Sequence, residues 1–226
     1  MDLADTRRPG TEFRWTDALK SPDLERALAD LRLRLAGGSR MLLGIVGAPG
    51  SGKSTFSACL QKHLGADCAA VVPMDGFHLG NNIIDGTPLR DRKGAIDTFD
   101  VGGYLSLLRR LARRDEHVVY APEFRRTIDE PVAASIQVPA ALPLVITEGN
   151  YLLAEQPLWQ EVRAQLDEVW FLDTPRQLRL SRLVDRHILF GKDPLSAQAW
   201  ATGSDETNAQ LIEATRHAAD RIIPWS

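Results

Sequence analysis

Short apolar runs and longer amphipathic stretches alternate along most of this chain. Met41-Leu42-Leu43-Gly44-Ile45-Val46 is continuous and apolar, too short for a buried helix and typical of a strand covered on both faces in a parallel sheet. Ala69–Met74, Val118–Ala121, Leu144–Thr147 and Val169–Leu172 have the same character. Helical patterns lie between several of them. Residues 53–64 place Phe56, Cys59, Leu60 and Leu64 on one face, and residues 102–113 carry Tyr104, Leu105, Leu107, Leu108 and Leu111. An earlier helix is expected to start with Ser21 as cap and Pro22 in the first turn, with Asp23 and Glu25 favouring the positive end of its dipole. Leu24, Leu28, Leu31 and Leu35 repeat along it, and Gly37-Gly38 ends it. The first ten to twelve residues are polar and expected to fray, while residues 218–224 are expected to add a last short strand.

Strand alternating with helix implies right-handed crossovers and a mostly parallel central sheet with helices on both faces, a three-layer α/β/α fold. Residues 1–226 read as a single domain, with 1–40 an N-terminal extension and helix and 41–226 the core. In such open sheets ligands bind beyond the carboxyl ends of the strands. Immediately after the predicted strands stand Gly47, Asp75, Pro122-Glu123, Glu148 and Asp173, so a glycine loop and several carboxylates gather on one edge. Asp173, before Thr174-Pro175, reads as a helix cap.

The first of these features is the most specific. Gly47-Ala48-Pro49-Gly50-Ser51-Gly52-Lys53-Ser54-Thr55 matches G-x-x-x-x-G-K-[ST] between a predicted strand and a predicted helix. Glycines let the backbone wrap around an anion, and the following helix adds the partial positive charge of its N-terminus. Lys53 supplies a mobile charge for the outer phosphates, and the Ser54 hydroxyl is a hard oxygen ligand for Mg²⁺. A glycine-rich turn that merely fits the pattern is the alternative; the strand before and helix after speak for nucleotide binding and a P-loop NTPase fold. Leu144–Thr147 followed by Glu148 has the layout of a Walker B element, with Glu148 holding Mg²⁺ opposite Ser54.

Asp75, after the second strand, would face the space beyond the γ-phosphate, where a carboxylate can orient an acceptor hydroxyl and take its proton. A strand-end Asp capping a turn with Gly76 is the plainer reading. His78 is equally a substrate contact or a packing residue, and Asn150 is a candidate substrate contact, whereas Tyr151, Leu152 and Leu153 read as core. Residues 76–100 show no convincing regular element, and loops of that length are often functional. Arg90, Arg92 and Lys93 within it could bind phosphate or an anionic substrate, or be a solvated charged loop; Asp97 or Asp100 would cap the next helix. From Arg176 the chain again turns helical, with Leu180, Leu183, Val184 and Ile188 on one face and Arg179, Arg182 and Arg186 roughly opposite. That stripe is either a solvated face or a helical lid whose arginines, Arg182 and Arg186 foremost, reach the transferring phosphoryl group.

Composition narrows the setting. The 226 residues include 27 Lys and Arg against 30 Asp and Glu, a net charge of −3, which lacks the basic excess of an extended nucleic-acid surface. A hydrophobic share of 44% excludes intrinsic disorder, and two cysteines are too few for a disulfide-stapled scaffold and suit a reducing compartment. With no apolar run near the ~20 residues of a membrane span and no secretory-type leader, the expectation is a cytoplasmic protein that engages neither nucleic acid nor membrane. A homodimer is the prior for any oligomer.

Taken together, the phosphate loop, Pro-Met-Asp-Gly-Phe-His-Leu at 73–79, Arg-Lys-Gly-Ala-Ile-Asp-Thr-Phe-Asp at 92–100, Glu-Gly-Asn-Tyr-Leu-Leu at 148–153 and the arginine segment from Arg182 resemble the phosphoribulokinase/uridine kinase/pantothenate kinase family of P-loop kinases. The likeness is greatest to a bacterial nucleoside/nucleotide kinase-like branch whose members are sometimes labelled fructose-transport-system kinases, and it runs from about Met41 to Pro224. The resemblance implies ATP- and Mg²⁺-dependent phosphorylation of a hydroxyl on a small metabolite (a sugar, a pantothenate-like compound or a nucleoside). It implies Asp75 as catalytic aspartate, Glu148 as the strand-end acid, and Arg182 and Arg186 as lid residues. One departure stands out: related sequences tend to place Phe-Asp-Arg where this chain has Phe124-Arg125-Arg126. If that position touches substrate, the switch from acid to base alters charge preference. The Arg-Lys-Gly segment also differs from its counterpart in uridine kinases, and both points weigh against a nucleoside acceptor. The alternative from another class is a nucleotide-switched NTPase that acts on a protein partner and has no small acceptor, for which an acceptor-side base such as Asp75 has no use. A degenerate, non-catalytic relative is the third reading, and the intact Lys53, Asp75 and Glu148 oppose it.

Overall fold

A computed structural model describes residues 21–226; the expected fraying of the first ten to twelve residues lies outside them. Five strands form one parallel sheet in the order β2-β5-β1-β6-β7: β1 (Met41–Val46), β2 (Ala69–Pro73), β5 (Leu144–Gly149), β6 (Glu168–Asp173) and β7 (Arg221–Pro224). β1 lies at the centre, paired from Met41↔Leu144 to Val46↔Gly149 on one side and from Leu43↔Glu168 to Val46↔Phe171 on the other. Every residue of β1 and β5 is buried, because both faces of a parallel sheet are covered by its crossover helices.

The pleat divides the core in two. Leu42, Val46, Val72, Val145, Val169 and Phe171 point to one face, where α4 (Val101–Arg113) packs Tyr104, Leu105, Leu108 and Leu111, and α5 (Pro157–Arg163) adds Trp159 and Val162. Leu43, Ile45, Leu144, Ile146, Trp170 and Leu172 point to the other, against Leu24, Leu28 and Leu31 of α1 (Pro22–Leu35) and Phe56 and Leu60 of α2 (Lys53–Leu64). The leucine repeat that predicts α1 is therefore its docking stripe, and α1 belongs to the core. Ser21 stands at its cap position, although its side chain makes no capping bond. Three further helices, α6 (Arg176–Leu189), α7 (Pro194–Thr202) and α8 (Ser204–Ala214), follow β6 before the chain returns as β7.

Val118–Ala121 departs from expectation. It opens β3 (Val118–Arg125), which pairs antiparallel with β4 (Glu130–Pro139) as a separate two-stranded hairpin outside the central sheet. Val119 and Ala121 are buried while Tyr120 between them is 49% exposed. A half-buried strand of four apolar residues looks like a fully buried one when its outward residue is a tyrosine. The register shifts between Ala121 and Glu123, so a bulge falls at Pro122. The 76–100 segment is largely irregular, as expected, but holds 3₁₀ turns and one short helix, α3 (Asn81–Ile84). Met74, expected to end β2, instead starts a 3₁₀ turn over Met74–Phe77. Asp100 caps α4 by accepting a hydrogen bond from the Gly103 amide. Asp173 does not cap α6: it accepts a 2.6 Å bond from Arg216, and Pro175 occupies the cap position. Among the described residues no helix is long and apolar enough to cross a membrane.

Leu31 is 1% exposed and its contacts hold α1 to the sheet. Leu31→Ala is expected to cost about 2–5 kcal/mol of unfolding free energy, read from the shift of the urea midpoint at unchanged slope.

Candidate active site

The chain leaves β1 at Val46 and must reverse into α2 within six residues. Gly50 takes φ +78°, and a Cβ there would stand 2.5 Å from the Arg179 carbonyl oxygen, so this position requires glycine on both counts. A loop this tight leaves most of its carbonyls without regular partners, and each needs a donor; within the loop, the Ser51 amide donates to Ala48 O at 3.0 Å. Lys53 Nζ donates to Gly47 O at 2.8 Å and, more weakly, to Ala48 O. Arg179 reaches Pro49 O, Thr174 Oγ1 donates to Ser51 O at 3.1 Å, and Arg182 reaches the same oxygen at 3.4 Å.

The arginine stripe of α6 thus lies on the phosphate loop and not in solvent. Arg179 is 4% exposed, and Leu183 is the buried apolar residue of this helix. Ile188, expected on the packed apolar face, is 41% exposed. The expectation fails because the phosphate loop, which is all backbone and needs donors, is the surface on which α6 rests. Arg186 is half-buried one turn beyond Arg182, close enough for its charge to be felt by Asp75, Asp205 and Arg126.

Opposite Lys53, β5 delivers Glu148, 4% exposed, level with Pro73 of β2 and Ile45 of β1. Its Oε1 accepts a 2.7 Å bond from Ser54 Oγ. Burial raises the Glu148 pKa, the Asp75 carboxylate raises it further, and Lys53 and Ser54 oppose them. Burial also pushes Lys53 down to about 8, with Glu148 and Asp75 partly restoring it. Below them, Thr147 donates to the Val72 carbonyl at 2.7 Å, so the Tyr104 hydroxyl must be the donor in its 2.6 Å bond to Thr147. That buried chain ties β5 to β2, the strand that leads into Asp75.

Asp75 stands in the 3₁₀ turn after β2. Its Oδ2 faces Arg126 Nη2 at 3.5 Å. The His78 ring is held between Phe99 and Phe124, at centroid distances of 4.2 and 4.6 Å, and its Nδ1 lies 2.7 Å from the Asp75 carbonyl oxygen. Burial lowers its pKa, which the nearby Asp75 partly opposes. Asn150 is half-buried just past β5.

The basic loop is placed differently. Arg92 is ion-paired with Asp97, and Lys93, 11% exposed, is bonded to Asn81 and Asp129 at the hairpin tip. Arg90 pairs with Asp85 and Asp129. Lys93 and Arg90 tie the long loop to the hairpin, while Arg92 pairs within the loop. Tyr151, 1% exposed, adds a bond from its hydroxyl to Gly94 O. Sequence reasoning missed Arg126 and Thr174. The signal for Arg126 was present, because it follows the Phe124-Arg125 step, but the residue that stood out there was Arg125, which turns to Glu123 at 3.7 Å.

A parallel sheet carrying a phosphate loop, a buried Lys and a strand-end acid at one edge defines a nucleotide-binding P-loop α/β protein. No protein-family model matches the chain. It is 35% identical over 160 residues to a Schizosaccharomyces pombe protein named "Putative uridine kinase", covering 67% of this chain and 68% of that one. It is 32% identical over 188 residues to the Escherichia coli protein YggC, covering 81% and 77%. The solved structure titled "putative fructose transport system kinase", from a Silicibacter species, superposes with a TM-score of 0.75 at 40% identity, covering 81% of this chain and 89% of that one. The chain belongs to the P-loop kinases of the uridine kinase family.

The depressed Lys53 pKa gives a pH test. The ammonium is complete below about pH 8 and is lost above it in the free protein. Its burial cost is therefore relieved as pH rises from about 8 toward the unfolded-state value. A bound phosphate raises the pKa again, so binding must recapture the proton. ATP affinity measured calorimetrically in EDTA is expected to be flat to about pH 8, then to fall by up to tenfold per unit. Lys53→Arg should abolish that fall, whatever its absolute affinity.

Proposed function

We propose that this protein transfers the γ-phosphoryl group of ATP to a hydroxyl group of a small metabolite. The observation that carries the reading is the placement of Asp75. It is a partly exposed carboxylate within electrostatic reach of the buried Glu148 and Lys53, in the turn that follows β2. A protein that only sensed nucleotide would have no use for an acceptor-side base there.

The residues divide the work. The backbone of Gly47–Thr55 and Lys53 bind the phosphates. Ser54 and Glu148 present two hard oxygens 2.7 Å apart, a donor pair that fits Mg²⁺, whose remaining positions are usually filled by phosphate oxygens and water. Bound there, Mg²⁺ supplies charge neutralisation on the phosphate chain. Asp75 orients the acceptor hydroxyl and takes its proton as the new oxygen–phosphorus bond forms and the bond from the γ-phosphorus to the bridging oxygen breaks, leaving ADP. Arg182 and Arg186, carried over the loop by α6, hold charge developing on the transferred group. α6, lying over the loop as a lid, helps exclude water, which otherwise competes with the acceptor.

Asp75→Asn is expected to keep ATP binding within about threefold and to lower phosphoryl transfer by ~10²–10⁴-fold. A coupled ADP assay across sugars, hydroxy acids, vitamins and nucleosides supplies the acceptor. The reading fails if no hydroxyl compound raises ATP consumption above basal hydrolysis, or if Asp75→Asn turns over like the parent.

A further inference from the structure

Arg126 is placed by a backbone contact and not by a flexible reach. The turn carrying Asp75 continues into Gly76, which is buried; a Cβ there would stand 2.4 Å from the Pro122 carbonyl oxygen. Pro122 is the bulge of β3. The turn and the hairpin strand therefore touch with no side chain between them, and a larger residue at 76 would push them apart. Four residues past the bulge, the Arg126 guanidinium comes to Asp75.

Its neighbours among the cations have acids of their own. Arg92 has Asp97, Lys93 has Asp129, Arg90 has Asp85 and Asp129, and Arg125 has Glu123. Arg126 instead faces the carboxylate assigned as the base, at 3.5 Å with 42% of its side chain exposed. A guanidinium resting beside that oxygen competes with an acceptor hydroxyl for the place where the proton must be received. Lys53 and Arg186, the cations assigned to the phosphates, already lie within electrostatic reach of Arg126, and like charge disfavours its moving closer to them. The conflict is removed when the acceptor brings a second anion: a carboxylate or phosphate matches the arginine fork bidentately, draws it off Asp75 and frees Oδ2 for the hydroxyl.

We infer that the acceptor carries a carboxylate or phosphate close to the hydroxyl that is phosphorylated, and that Arg126 binds it. This rests on the kinase reading above and adds the substrate's charge.

The test uses matched pairs that differ in the anionic group: glycerate and glycerol, pantothenate and pantothenol, ribose 5-phosphate and ribose. ADP release is followed with product mass, for the parent protein, Arg126→Gln and Arg126→Lys. The anionic member of at least one pair should be phosphorylated with kcat/KM about 10- to 100-fold above its neutral partner. Which pair responds separates carboxylate from phosphate. Arg126→Gln should bring that ratio close to one, mainly through KM of the anion, and Arg126→Lys should restore part of it. Neutral members used as well as or better than anionic ones overturn the inference and leave the kinase reading standing. Equal losses for both members in Arg126→Gln also overturn it, since Arg126 would then act on the transferring group. If neither member of any pair is phosphorylated while another neutral hydroxyl compound is, the inference again fails alone. Only if no hydroxyl compound of either charge is used does the kinase reading fall with it.

Discussion

A loop that points its amides at an anion must point its carbonyls at something else, and that constraint organises this molecule. Lys53 satisfies Gly47, Arg179 satisfies Pro49, and Thr174 and Arg182 share Ser51. Those donors come from three places: the loop's own helix, the end of β6 and the middle of α6. The position of α6 follows from the loop's unpaired oxygens as much as from apolar burial: Leu183 is buried, Leu180 and Val184 are half-buried, and Ile188 is left exposed. The arginines that hold the loop from outside also lie next to the space where phosphates would sit.

A second consequence concerns charge at the sheet edge. Lys53 and Glu148 are both buried, each shifted toward neutrality by loss of water, and each partly restored by the other. Removing either partner would leave an uncompensated buried charge, which is expensive. Their burial depends on β1 and β5 being adjacent and fully covered, and the Tyr104-Thr147-Val72 chain holds β2 alongside so that Asp75 follows at the same edge. Arg126 reaches that edge from a hairpin that is not part of the sheet. The site is therefore half rigid scaffold and half docked ribbon.

Much of this was legible in the residues. The apolar runs at 41–46, 69–74, 144–147 and 169–172 were legible as strands from their length and unbroken apolar character, with the strands themselves spanning 41–46, 69–73, 144–149 and 168–173, and the loop between β1 and α2 needed only its glycines and Lys53 to be recognised. Val118–Ala121 misled because four apolar residues carry too little period to separate a covered strand from a half-exposed one, and its partner at 130–139 mixes Glu130, Ser135 and Gln137 with apolar residues. The arginine stripe was visible, yet whether it met water or the loop depended on a surface built from residues more than a hundred positions away.

Contiguous residues were enough to specify the local chemistry: a phosphate loop, a strand-end acid, a lone aspartate after a strand, and the periodicities of a parallel sheet. Loop shape and strand burial follow from neighbours along the chain, so these features need no knowledge of distant segments. Which cations are spent and which are left was settled only when the chain folded. Arg90, Arg92 and Lys93 find acids on the loop and the hairpin, whereas Arg126 finds Asp75. An ion pair is a matter of distance in space, and the contact of Gly76 with Pro122 that sets this one joins segments 46 residues apart in sequence.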